Sequence, residues 1–430
     1  MNLLALIRRH ATLSGLNAVF TGCCFLLPSV AGAVASVIFN GGGIWSVGVA
    51  ASRPRKFHLN RPMMAQTVAI YAYCASYFLS SAINNSFPTD ASKLVSFVTF
   101  LFFPFSYVSW SISEKTSLAR IAIWSSAAAC CGAVIIAAIQ VYGFGMRAEG
   151  GAGNAIVFAT VVCLAIMVCL AGAMSGIVTS RTMLPLAALA GTVAILYSGT
   201  RVMRVALPVT GFVLLLIYRR VFTGSIFVRL LLAVAAIVAV CTVFGFQIIA
   251  TRFGAALNDI SGLNAGTNYD TAIGLRVALW HVGLDAFHQA PIFGHGAGAT
   301  KILIESGMLG KFELERGFSH FHNGFLTALV ESGIVGALSL ASIFVVATAN
   351  AARVLRTRTD MVERFGASLI IIAVIVYLLG GLTGILLGHD ILDSVLMIFL
   401  IVGTYLACGR MADPIKGVAA REPGTKRASR

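Results

Sequence analysis

Five of the eight histidines, His281, His288, His295, His320 and His322, fall within one stretch of the chain. Imidazole titrates near neutral pH, so such a group can move protons or hold a metal. The metal alternative is weak. His320-x-His322 lacks the i, i+4 spacing of a helical ligand pair, and no Cys or carboxylate stands at a ligand-like offset. The nine cysteines lie in apolar segments without a Cys-x-x-Cys, as small packing residues do. Gly294-His295-Gly296-Ala297-Gly298 can turn backbone N–H groups toward phosphate, but with no preceding strand it reads as a plain turn. His322-Asn323 opens an apolar segment, and after nine residues comes Gly333-Ile334-Val335-Gly336. On a continuous helix of about 100° per residue, Gly333 lies about 20° from His322 and Gly336 about 40° from it on the other side. One face then carries a histidine at the water boundary and, deeper, two glycines that let a neighbouring helix approach. Glu331 falls on the opposite face and belongs to another contact.

The elements that must position these residues are membrane helices. The 430-residue chain is 58% hydrophobic and 11% charged, with mean hydropathy +0.90, whereas soluble domains are about 25% charged. A soluble domain, a disordered chain and a coiled coil are excluded. Apolar segments lie near residues 11–31, 34–51, 62–82, 93–112, 121–142, 155–175, 183–200, 203–217, 230–248, 321–349, 366–387 and 391–408. The chain therefore reads as an all-α polytopic membrane protein, a single bundle over residues 1–430 with about 12 transmembrane helices. With the N-terminus inside, both termini are cytoplasmic, and residues 409–430 form a basic cytoplasmic tail. Only nine of the 31 Lys and Arg then lie outside, among them Lys93, Arg147, Arg201, Arg204 and Arg276. The positive-inside rule thus accounts for the net charge of +15 without nucleic acid. Arg8-Arg9 before an apolar run is similar to a signal peptide, with Ala31-Gly32-Ala33 as its cleavage site, but an uncleaved first span is the simpler reading.

Residues 249–320 break the pattern as a large outer loop between spans nine and ten, and long ordered loops are usually functional. Within it, Thr271 to Gln289 reads as a helix, because Ile273, Arg276, Trp280, Leu284 and Phe287 recur at spacings of three and four. Pro291 ends it. The stripe suits a helix lying at the membrane surface or packed on the bundle, and packing does not explain Arg276 on its apolar side.

His-Asn, nine residues and Gly-x-x-Gly at the outer end of a late span resembles the signature of the bacterial O-antigen ligase family. That family also includes O-antigen and exopolysaccharide polymerases and protein O-oligosaccharyltransferases. Ser198-Gly199-Thr200-Arg201 is similar to the family's Ser-x-Ser/Thr-Arg segment. The run from Arg276 through Trp280 and Pro291 to Gly294-His295-Gly296 resembles the stretch preceding its motif. The resemblance covers residues 190–345 and the overall topology.

The resemblance implies transfer of a glycan from undecaprenyl diphosphate to an acceptor hydroxyl, at the periplasmic face of the bacterial inner membrane. It implies no nucleotide, metal or other cofactor. Arg201 and Arg276 match the family arginines and are assigned to the diphosphate, since guanidinium forks suit phosphate oxygens. His322 is the expected general base, with activity rising through neutral pH, or else a hydrogen-bond donor to the diphosphate. Arg204 either assists or snorkels, Asn323 is placed to orient His322, and His320 stands beside it as support. His389-Asp390 supplies a carboxylate partner or, more simply, caps a helix. Neither Arg201 nor Arg276 has the Arg-x10-Gly spacing of one polymerase group, which favours a ligase acting on the lipid A–core of lipopolysaccharide within membrane lipids. Polymerase and protein O-oligosaccharyltransferase are the alternatives. A transporter is disfavoured by nearly charge-free spans without an internal repeat.

Overall fold

The computed structural model describes residues 13–180, 182–221, 269–271, 273–315 and 317–414. The dibasic N-terminus, the span read at 230–248, residues 249–268 of the outer loop, Arg316 and most of the basic tail lie outside the described residues. The first half of the chain contributes α1 (Leu13–Val30), α2 (Gly32–Ser52), α3 (Arg61–Ile83), α4 (Phe87–Ser96), α5 (Val98–Leu101) and α6 (Phe103–Trp110). It continues with α7 (Lys115–Ala138), α8 (Ala155–Ser175), α9 (Met183–Ser198) and α10 (Arg201–Tyr218). The second half contributes α11 (Gly274–Gln289), α12 (Ala299–Phe312), α13 (Gly324–Thr357), α14 (Met361–Gly381) and α15 (Asp390–Cys408).

Among the described residues, eight helices are long and apolar enough to cross a membrane. The chain is an all-helical, multi-pass membrane protein, as lipid demands of a backbone that must satisfy its own hydrogen bonds. The span read at residues 93–112 is instead three short pieces, α4 to α6. Pro88 and Pro104 stand in the first turns of α4 and α6, where proline starts a helix well but cannot continue the one before it. Helices α8 and α15 are apolar and buried nearly all round, so they form the middle of the bundle. Around α8 pack α7, α9, α10 and α14, and α15 packs on α14 and α2. At one end of the bundle, Arg55–Lys56 pairs antiparallel with Asp413–Pro414, and His58 Nε2 bonds Asp413 2.8 Å away.

At the other end, α11 and α12 build a second small core, with Ala278, Leu279, Val282, Ala286, Ile304 and Met308 buried against Phe321 and Leu326. The face that packs is therefore not the stripe read from the sequence. Trp280 and Leu284 are exposed, as is Arg276, because the small residues Ala278, Gly283 and Ala286 allow closer helix contact than the large stripe does.

Helix α13 is broken. Gly333 adopts φ 64°, ψ −165°, a conformation open essentially to glycine alone. Into the break runs the extended segment after α11. His295 N–H donates to Val330 O and Gly296 N–H to Glu331 O, at 2.9 and 3.1 Å. In return, Ile334 and Val335 N–H donate to Pro291 and Ile292 carbonyls, at 2.9 and 3.3 Å. The backbones touch: a Cβ on Gly333 would stand 2.2 Å from Ile292 O, and one on Gly294 2.5 Å from Ser332 N. Gly333 thus admits a loop rather than a neighbouring helix, whereas Gly336 does face α3, near Ser76.

Gly333→Ala is expected to cost about 1–3 kcal/mol of backbone strain, before its contact with Ile292 O is counted. It should markedly lower the thermal midpoint of detergent-purified protein. Gly211→Ala, with open space around its Cβ, should leave that midpoint unchanged.

Candidate functional site

The glycine-rich turn that follows α11 is held by side chains from the first half of the chain. Ala297 and Gly298 N–H donate to the two Asp90 carboxylate oxygens, each at 2.9 Å. Ser81 and Ser86 hydroxyls donate to the same group, both at 2.5 Å. Ser80 receives Gly296 N–H at 3.1 Å and donates to Glu331 O, and Asn84 donates to Gly294 O. Asp90 is 1% exposed. The N–H groups that would cradle a phosphate are already occupied by a buried carboxylate, so the turn is structural.

The turn fixes α11, and α11 fixes the histidine loop. Phe321 is fully buried in the α11–α12 core, and the Trp280 indole N–H donates to its carbonyl at 3.1 Å. Gly283 lets both Phe321 and Leu326 approach, since a Cβ there would lie 3.1 and 2.8 Å from them. On the other side of His322, Asn323 Oδ1 accepts from Phe325 and Leu326 N–H at 3.1 and 3.2 Å, capping α13. Pinned between these anchors, His322 has φ +50°, a left-handed conformation that histidine tolerates better than most residues.

This geometry corrects the single helix face read from the sequence. His322 precedes the helix and Gly333 interrupts it, so the angular relation between them does not run through a continuous α-helix. Asn323 positions His322 by capping the helix behind it. The His320 ring lies 4.4 Å from that of His322, centroid to centroid, and its Nδ1 is 3.0 Å from Ser319 Oγ. The last turn also differs from expectation. Asp390 is exposed in the first turn of α15 and His389 makes no side-chain cap bond. Asp393, one turn into the helix, instead folds back to accept Gly388 N–H at 3.0 Å.

Positive charge surrounds the histidines. Partial burial, and next the Arg276 guanidinium, hold the His322 imidazolium below its ordinary range. Burial, then His322, then the Lys93 ammonium push His320 down to about 4. Both imidazoles are thus neutral at pH 7. Arg276 sits in the first turn of α11 and Arg201 opens α10, so each cation stands at a helix N-terminus, where an anion is favoured and a lone cation is not.

Arg201, Arg147 and Arg204 gather at the turn Ser198–Thr200. Arg147 Nε donates to Ser198 O at 3.1 Å, Arg204 reaches Leu196 O, and Thr200 Oγ donates to Ala155 O. This turn is connected to His322 through the end of α14. A Cβ on Gly380 would lie 3.2 Å from Met203, one on Gly381 2.7 Å from Leu386, and one on Gly324 2.4 Å from Leu386. The structure therefore places Arg201 and Arg204 at the same end as His322 and brings Arg276 and His320 within its electrostatic reach.

Lys93 was not singled out from the sequence, and neither was Asp90. Lys93 grips both carboxylate oxygens of the buried Glu331. The available signal was Glu331 itself, an ionisable residue inside a membrane helix, which by default calls for a partner. Among the described residues no group of three or more His, Cys, Asp and Glu is placed to hold a metal.

Residues 186–341 match the family model of O-antigen ligase. The matched stretch includes Arg201, Arg276, His320, His322, Asn323 and Glu331; Lys93 and Asp390 lie outside it. An uncharacterized protein of Haemophilus influenzae is 29% identical over 150 residues, covering 33% of this chain and 36% of that protein. The chain thus aligns with about a third of that relative's length.

NMR of histidine-labelled protein should show His322 titrating below about 6.5, the free histidine value, and His320 lower still. Arg276→Gln removes a charge that opposes protonation and should raise the His322 midpoint; an unmoved midpoint would separate the two side chains.

Proposed function

Residues 186–341 carry an O-antigen ligase domain, and from that premise we propose that the protein transfers a glycan from undecaprenyl diphosphate to a hydroxyl of lipid A–core. The reaction takes place at the periplasmic face of the bacterial inner membrane, with both termini in the cytoplasm. The observation that carries the reading is His322, at φ +50° in the loop that opens α13 and within electrostatic reach of Arg276, inside the family-matched stretch.

The donor's anomeric carbon accepts the acceptor oxygen as its bond to the diphosphate breaks, and the electron pair leaves on the phosphate oxygen. Arg201 and Arg276 bind the diphosphate, and the positive ends of α10 and α11 reinforce them. Cations fixed in advance stabilise the leaving group without reorganising as charge develops. His322 takes the acceptor proton, which its depressed pKa permits at neutral pH. Trp280 and Asn323 keep the imidazole in place from either side, and His320 excludes water from one of its faces. The guanidinium groups supply the positive charge that a divalent cation provides elsewhere, so we propose transfer without a metal.

The sign of the pH dependence follows from the depressed pKa. His322 is the active base when neutral, so kcat/KM should fall only as pH drops through the folded value, below about 6.5. The acid limb thus lies on the acidic side of the neutral-range rise read from the sequence.

Reconstituted protein given undecaprenyl-diphosphate-linked glycan should label rough lipopolysaccharide, with chelators having no effect. His322→Ala should lose about 10²–10⁴-fold in rate, and Arg201→Ala and Arg276→Ala about 10²–10³-fold each, with protein yield retained. Lipid-linked chains that lengthen without acceptor would make the enzyme a polymerase, and full activity in both arginine variants would remove the diphosphate assignment.

A further inference from the structure

Glu331 is 1% exposed about two turns into α13, where an ionised carboxylate is expensive. It is nonetheless fully engaged. Lys93 donates to both of its oxygens, the Thr300 hydroxyl donates to Oε1 at 2.6 Å, and the Tyr77 hydroxyl to Oε2 at 3.3 Å. Four elements meet on this one acid: α3, α4, α12 and α13. An apolar quartet of similar volume would pack there at less cost, so packing alone does not account for the arrangement.

The lysine differs from its partner in one respect. Its side chain is 27% exposed, against 1% for Glu331. Of the three ammonium donors, two are taken by the carboxylate, which leaves one for the open side. Lys93 Cε lies 3.5 Å from where a Gly388 Cβ would be, against the turn that leads into α15, and His320 feels the ammonium charge. His320 in turn lies against His322, which feels Arg276. The ammonium therefore lies at the same end of the bundle as the histidines, within electrostatic reach of His320.

Charge counting gives this position a purpose. The diphosphate linking a glycan to its lipid is doubly esterified and carries two negative charges, which two arginines match. Breaking the sugar–phosphate bond exposes a terminal phosphate, which at neutral pH bears about one further negative charge. We infer that Lys93 is the third cation of the site, held extended by the buried Glu331 so that its free donor meets the phosphate oxygen released when the glycan transfers. The inference rests on the glycan-transfer reading above. Lys93 is then a catalytic residue that touches the leaving group, and Glu331 is its positioning residue. Because the charge Lys93 meets arises during the reaction, its loss falls on kcat more than on KM.

The test uses Lys93→Met, Lys93→Arg, Glu331→Gln and the double variant Lys93→Met/Glu331→Gln in full-length reconstituted protein. Two measurements are made: glycan transfer, and competition by undecaprenyl diphosphate against undecaprenyl monophosphate. Lys93→Met should lower kcat about 10²–10³-fold with KM little changed, and should weaken the preference for diphosphate over monophosphate, part of which the two arginines retain. Lys93→Arg should restore part of both. Lys93→Met alone strands a buried carboxylate and is expected to melt early; the double variant removes that charge and should regain the wild-type melting midpoint while staying inactive. A double variant that regains transfer along with stability would overturn the inference, for Lys93 would then be only the counter-ion of Glu331. Wild-type protein that transfers nothing yet prefers the diphosphate through Lys93 would sink the functional reading and keep the cation site. Lack of any Lys93-dependent preference would sink the site itself.

Discussion

The broken helix at Gly333 and the loop that fills it are the constraint on which the site depends. A helix interrupted at membrane depth frees backbone N–H and C=O groups that lipid cannot satisfy. Here Pro291 to Gly296 supplies the missing partners, donating to Val330 and Glu331 and accepting from Ile334 and Val335. Once those four bonds form, the end of α11 has one position relative to α13. Trp280 and Gly283 then set the histidine loop, and the Asn323 cap closes it. Asp90 secures the same segment from α4, so two distant parts of the chain agree on one placement.

Electrostatics builds on that frame. The end of the bundle that carries His322 also gathers Arg147, Arg201, Arg204, Arg276 and Lys93, although lone cations are disfavoured at two of the helix N-termini involved. Of these cations, Lys93 is paired with the buried Glu331, so the surplus positive charge is carried by the arginines. Asp90 is consumed by hydroxyls and backbone N–H groups and Asp393 by the turn before α15, while Glu331 is bound by Lys93, Thr300 and Tyr77. The surplus is thus presented to whatever enters beside His322. Neutral imidazoles within a cationic surround suit proton acceptance next to a bound phosphate.

Much of this was legible in the residues. Among the described residues, apolar runs located eight helices long enough to span, the Ile273-to-Phe287 periodicity located α11 to within three residues of its start, and Gly294 to Gly298 read correctly as a turn. What failed did so for a physical reason. The angular argument from His322 to Gly333 assumed an unbroken helix, and nothing local says that a loop some forty residues upstream will be inserted at Gly333. The buried face of α11 was inverted because large apolar residues outweigh alanine and glycine in a periodicity count, yet close packing chose the small ones. The roles of Asp90 and Lys93 depend on partners more than two hundred residues away, so no spacing rule reaches them. The cap read at His389-Asp390 makes no side-chain bond, and Asp393, one turn on, folds back on Gly388.

In the proposed function, the cations at this end of the bundle and His322 form one diphosphate site. The most direct measurement is a cryo-electron microscopy structure of the protein in lipid nanodiscs with undecaprenyl diphosphate bound. Density for the two phosphates is expected between the N-terminal turns of α10 and α11, in contact with Arg201 and Arg276 and beside the His322 ring. Phosphates resting elsewhere, with Arg276 and His322 facing empty solvent, would contradict it.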